Sequence, residues 1–71
     1  MRLGNHLRRY RFENGDISQE TLASEVGVTR QTIHSVEKNK FIPSTLLAFK
    51  IARFFNCKVE DIFYLTNSDI I

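Results

Sequence analysis

The stretch Gly27–Lys40, "GVTRQTIHSVEKNK", decides the fold. Placed on a helix at about 100° per residue, Ile33 and Val36 fall together on one side, with Thr29 beside them. Arg30, Gln31, His34, Ser35 and Lys38 fall on the opposite side. The apolar pair requires burial, so the other side is an outward row of hydrogen-bonding groups with little negative charge. Glu37 is the exception, at the edge of the buried side. Thr29 suits the N-cap position, and Val28 and Ile33 stand in the relation of a hydrophobic staple.

Immediately upstream the same signature recurs. With Ser18 as cap, Ile17 precedes it and Leu22 occupies the fourth helical position, a second staple. Leu22, Ala23 and Val26 form the inner face of this helix, Ala23 is small enough for a close crossing, and Gly27 supplies the turn. Two short helices joined by a glycine turn, the second with a polar outer face, describe a helix-turn-helix. In that motif the second helix enters the DNA major groove and its N-terminal residues touch base edges.

The rest of the chain is punctuated in the same way. Gly15, Gly27, Asn39 and Asn56 recur at intervals, each tolerant of the left-handed conformation that ends helices. Ser18, Thr29 and Ser44 are good caps, the last following the lone proline, Pro43. Helices are expected near residues 3–13, 19–26, 30–38, 45–55 and 60–64. The first carries Leu3, Leu7 and Tyr10 as one stripe, and the fourth carries Leu47, Ala48, Ile51, Ala52 and Phe55. The last has Val59, Ile62 and Phe63, with Glu60 and Asp61 where the helix dipole favours negative charge. Lys58 would be its cap and is a poor one. Strand alternation is confined to the last few residues. The expected class is all-α, a five-helix fold with a short C-terminal strand.

Seventy-one residues, 42% hydrophobic and 25% charged, suit one small domain and no membrane span. Residues 1–64 form the expected DNA-binding domain and 65–71 a tail. Net charge is +2 and the pI about 9.0, with Arg2, Arg8, Arg9 and Arg11 crowding the start and Glu60, Asp61 and Asp69 near the end. That asymmetry suits one anion-facing surface. A single cysteine, Cys57, precludes an internal disulfide, and no apolar run is long enough for a signal peptide; a cytoplasmic location is expected.

"ISQETLASEVGVTRQTIHSVEKNKFIPS", residues 17–44, resembles the helix-turn-helix of the lambda-repressor/Cro-like family, also called the Xre family. The matching residues are Ser18-Gln19-Glu20, Leu22-Ala23, Gly27-Val28, Arg30-Gln31-Thr32-Ile33, Glu37 and Pro43-Ser44, and "LAFKIARFFNCKVEDIF" resembles the family's last two helices. The resemblance implies a transcriptional regulator, a repressor binding double-stranded DNA as a homodimer on an inverted repeat. It implies that Arg30, Gln31 and Ser35 reach base edges, with His34 near them. Gln19 would hold a phosphate with its side chain and helix N-terminus, and Thr29, Lys38, Lys40 and Ser44 would hold the backbone on either side. Arg11 would pair with Glu37 and face phosphate. Asn39 and Asn56 stand where the family usually has glycine, and the turn "ENGDIS" is one residue longer than its commonest spacing.

Arginine grips guanine O6/N7 and glutamine grips adenine N6/N7, so Arg30 and Gln31 suit base reading chemically; as ordinary surface residues they would simply be solvated. Arg8 and Arg9 fit either phosphate contact or a solvated face. The aromatic and aliphatic excess in Phe49, Phe54, Phe63, Tyr64, Leu65, Ile70 and Ile71 exceeds a monomer's needs. Phe63, Tyr64, Leu65, Ile70 and Ile71 are the expected dimer contact. His6, His34 and Cys57 share no ligand spacing, so no metal is expected. No cofactor, and no nucleophile paired with a base, is indicated. The rival readings are an antitoxin-like module that masks a partner protein and a non-specific DNA coat, which the mild charge disfavours.

Overall fold

The computed structural model describes residues 2–66. Strand β1 (Arg2–Asn5) is followed by helices α1 (Leu7–Glu13), α2 (Gln19–Val26), α3 (Arg30–Glu37), α4 (Thr45–Phe54) and α5 (Val59–Ile62), and then by strand β2 (Phe63–Thr66). The helices enclose one core. Leu7, Leu22, Ile33, Ile51 and Ile62 are completely buried in it, and Val36 nearly so, together with Ala23, Val26, Leu47, Ala52, Phe55 and Phe63. Each fully buried aliphatic side chain contributes roughly 1.5–3 kcal/mol of burial free energy. Ile17 and Val28, the outer halves of the two staples, pack against this core.

The starts of the three central helices follow the capping chemistry of their sequences. Ser18 Oγ accepts from Thr21 N at 2.9 Å, Thr29 Oγ1 from Thr32 N at 3.2 Å, and Ser44 Oγ from Leu47 N at 3.1 Å. Each satisfies one of the N–H groups that a helix start leaves without a partner. Lys58 caps nothing with its side chain; instead the Asp61 carboxylate reaches back to Lys58 N at 3.0 Å. The punctuation residues Gly15, Gly27, Asn39 and Asn56 all have positive φ, between 56° and 98°, and Asp16 joins them at 55°.

The two ends of the domain depart from an all-α reading. The first helix begins at Leu7 rather than at residue 3, and Leu3 lies on β1. The last helix spans Val59–Ile62 rather than 60–64, placing Phe63 and Tyr64 on β2. β1 and β2 pair antiparallel, with Leu3 opposite Leu65 and Gly4 opposite Tyr64. The physical reason is local at Gly4-Asn5 and long-range elsewhere. Asn5 Oδ1 accepts from Leu7 N at 3.0 Å, starting the helix there. The Tyr64 ring covers Gly4 so closely that a Cβ on Gly4 would come within 2.6 Å of it. Tyr64 also stacks on His6 with ring centroids 4.6 Å apart.

At the foot of α4, Cys57 is half-buried and packs on the core. Burial raises its thiol pKa, and the Asp61 carboxylate raises it further. The pKa of Tyr10 is raised as well, by burial first and then by Cys57 and Asp61. Cys57 is a packing residue held as the neutral thiol. Among the described residues no helix is long and apolar enough to cross a membrane.

Candidate nucleic-acid interface

α2 and α3 form the tightest helix pair of the domain, joined by Gly27, Val28 and Thr29. Gly27 at φ 78° closes α2, and Val28 N donates to Ala23 O at 2.9 Å. This compact turn presents the first turn of α3 to solvent. Arg30 and Gln31 are exposed there, and Thr29 with them. One turn on, His34 and Ser35 are half-buried, and the Gln31 amide reaches Ser35 Oγ at 3.4 Å. Lys38, Lys40 and Ser44 are exposed beyond them. The C-terminus of α3 is closed by Asn39 at φ 60°, with Lys40 N donating to Ser35 O at 2.9 Å.

Beside this face lies a shallow depression lined by Arg8, Arg11, Gln19, His34, Glu37 and Lys38. Its floor is an ion pair. Arg11 Nε donates to Glu37 Oε2 at 2.6 Å and Nη2 to Glu37 Oε1 at 3.0 Å, with the two side chains only 12% and 6% exposed. Arg11 Nη1 also donates to Ile17 O at 2.9 Å, and the Gln19 amide donates to Glu37 Oε1 at 3.1 Å. One carboxylate on α3 therefore fixes α1 and the start of α2 through bidentate geometry. The pairing of Arg11 with Glu37 is present as the resemblance implied. These bonds leave one N–H on each terminal nitrogen of Arg11 for an outside acceptor. The arrangement as a whole is a donor-rich rim over a neutralised floor.

Of two further contributors, the sequence left Arg8 open between phosphate contact and a solvated face and did not mark Asn5 at all. Arg8 lines the depression and lies 5.6 Å from the Phe12 ring centroid, within cation–π range; its place one turn before Arg11 was the available signal. Asn5 donates to Val36 O and to Asn39 Oδ1, both at 2.9 Å, tying β1 to the end of α3. That contact spans 31 residues and leaves no local trace.

The residues expected at a dimer contact are scattered in their environments. Phe63 is turned into the core at 6% exposure, Tyr64 stacks on His6, and Leu65 is exposed. Ile70 and Ile71 lie outside the described residues. Among the described residues, no group of three His, Cys, Asp or Glu side chains could hold a metal ion.

A helix-turn-helix family model matches residues 7–62, all five helices. The chain belongs to the Xre-like helix-turn-helix family of transcriptional regulators. Curated relatives of this family include an uncharacterised HTH-type transcriptional regulator of Methanocaldococcus jannaschii, 54% identical over 59 residues, covering 83% of this chain and 88% of the relative. The uncharacterised HTH-type transcriptional regulator YgzD of Bacillus subtilis is 54% identical over 61 residues, covering 86% of this chain and 91% of the relative. Among solved structures, the restriction-modification controller protein C.AhdI of Aeromonas hydrophila superposes with a TM-score of 0.70 at 31% identity, covering 78% of each chain. The Xre-like match thus extends from the motif through α1, α4 and α5.

Proposed function

We propose that this Xre-like protein is a sequence-specific double-stranded DNA-binding repressor, acting in the cytoplasm as a homodimer on an inverted repeat. One observation carries the reading: the exposed first turn of α3 presents Arg30 and Gln31 beside a rim of phosphate-compatible donors. Arg30 and Gln31 read base edges, with Ser35 and His34 one turn behind them. Gln31 can exchange its long bond to Ser35 for a bidentate grip on adenine. Gln19, at the start of α2, offers its backbone N–H and the second N–H of its amide to a phosphate. Thr29, Lys38, Lys40, Ser44 and Arg11 hold the backbone around that point. Half-sites about 34 Å apart would match a symmetric pair.

The test is selection from random duplex DNA with purified full-length protein at near-physiological salt. An enriched inverted repeat is expected. Arg30→Ala is then expected to cost roughly 1–3 kcal/mol on the selected site and relax preference at one base pair. No enrichment with folded protein would overturn the reading, and an unchanged preference for Arg30→Ala would remove that residue from the base-reading set.

A further inference from the structure

We propose that His34 is a proton-coupled phosphate ligand, so that this protein grips DNA more tightly as the pH falls through the neutral range. The inference rests on the DNA-binding reading above and refines the part His34 plays in it. His34 is half-buried and lines the depression beside α3, about 340 Å³ in volume, together with Arg8, Arg11, Gln19, Glu37 and Lys38. Arg30, Gln31 and Ser35 do not line it. The ring therefore belongs with the phosphate donors rather than with the base-reading side chains. Among the described residues neither of its ring nitrogens has a hydrogen-bond or ion-pair partner.

The charges around the ring set the sign of the effect. α1 contributes Arg8 and Arg11, α2 the uncharged Gln19, and α3 itself Glu37 and Lys38, with Arg30 exposed one turn earlier. Glu37 is the one carboxylate lining the depression, and its oxygens are taken by Arg11 and Gln19. Arg8 has the Phe12 ring beside it, and neither Arg8 nor Lys38 has an ion pair among the described residues. A proton on His34 in the free domain therefore adds charge to a depression already in cationic excess, and a phosphate seated there reverses that sign. The donor chemistry agrees. Neutral imidazole offers one N–H and one lone pair, which repels a phosphate oxygen, whereas imidazolium offers two donors. Histidine is the side chain whose ordinary titration spans neutrality, while the arginines and Lys38 stay charged throughout. DNA binding thus takes up a proton at this ring, and by reciprocity acid strengthens the binding. The contact is to the phosphate backbone, so the effect is the same whatever the base sequence.

Fluorescence anisotropy with the full chain, on the selected duplex and on an unrelated duplex of equal length at fixed salt, tests the coupling from about pH 5.8 to about pH 8. Wild-type affinity is expected to fall by roughly fivefold or more across that range on both duplexes. His34→Gln is expected to be flat on both, and weaker than wild type at the acid end. His34→Lys, a fixed cation, is expected to be flat and tighter than wild type at the alkaline end. The ring makes no hydrogen bond in the fold, so both variants are expected to keep the wild-type circular dichroism. His6→Gln, altered at the only other histidine, is expected to keep the wild-type slope. A pH-independent wild type overturns the proposal, and so does a slope that survives His34→Gln. A slope confined to the selected duplex overturns it too, because His34 would then be reading a base. Should selection find no preferred site while the slope appears on any duplex, the sequence-specific reading falls and this one stands; a chain that binds no duplex sinks both.

Discussion

Glu37 is the residue on which the interface turns. Its carboxylate is almost fully buried and accepts from Arg11 twice and from Gln19 once. Removing one partner of a buried pair strands the other, at roughly 3–5 kcal/mol. A domain of this size has about 4–10 kcal/mol in total. Arg11→Ala is therefore expected to lower the urea midpoint severely. Arg9→Ala is the internal control, because the Arg9–Glu13 pair at 3.1 Å has side chains 68% and 57% exposed and such pairs are worth under about 1 kcal/mol. Equal midpoints for the two variants would show that the buried pair is not structurally dominant. Both charges were readable from the chain, but their mutual burial was not: the wheel placed Glu37 only at an edge, and it took the family resemblance to connect it with Arg11. The bond that diverts one Gln19 N–H to the same carboxylate was invisible, since nothing in a glutamine's neighbours says which way its amide turns.

The elements at the centre of the chain were the legible ones, for a physical reason. α2, α3 and α4 announce themselves through Ser18, Thr29 and Ser44, through staples and through glycine or asparagine stops, all of which act within a few residues. Gly27 illustrates how local this control is. Its φ of 78° disfavours any side chain, yet a Cβ there would meet nothing within 4 Å. Gly27→Ala is accordingly expected to cost about 1 kcal/mol, the backbone penalty alone, measured by chemical denaturation. A loss of several kcal/mol would mean that the turn also bears on packing. A C-terminal strand was expected, but β1 was read as helix and β2 starts earlier than the tail, because the cause of their pairing is not local. Leu3, Leu7 and Tyr10 keep helical spacing, and only Gly4-Asn5 hinted at an interruption. What makes β1 a strand is β2, some sixty positions away, and no window on the sequence contains both.

At the scale of the whole molecule the helices and the sheet are unequal partners. The helical core holds the fully buried Leu22, Ile33 and Ile51, whereas the sheet is a two-stranded ladder of four residues a side. Ladders that short are marginal unless packed on something larger. Native-state hydrogen exchange is expected to show the amides of residues 63–66 opening at lower free energy than those of Leu22, Ile33 and Ile51, as a separate sub-global event. Identical opening energies would instead describe one cooperative unit. The fold as a whole was accessible because its family pattern runs through most of the chain, while the sheet that joins its two ends had to be seen.

Arg2 lies opposite Thr66 in that sheet, and the pairing has a consequence for how the protein is made. On the ribosome, β1 emerges ahead of the five helices and has nothing to pair with while they are synthesised after it. Its partner is the last of the described elements to appear. The helix-turn-helix can assemble from neighbouring segments as they emerge, but Gly4 acquires its tyrosine cover, and Asn5 its neighbouring strand, only after α5 has been made. A chain cut short just after α5 would therefore hold α3 in place with its first strand still waiting.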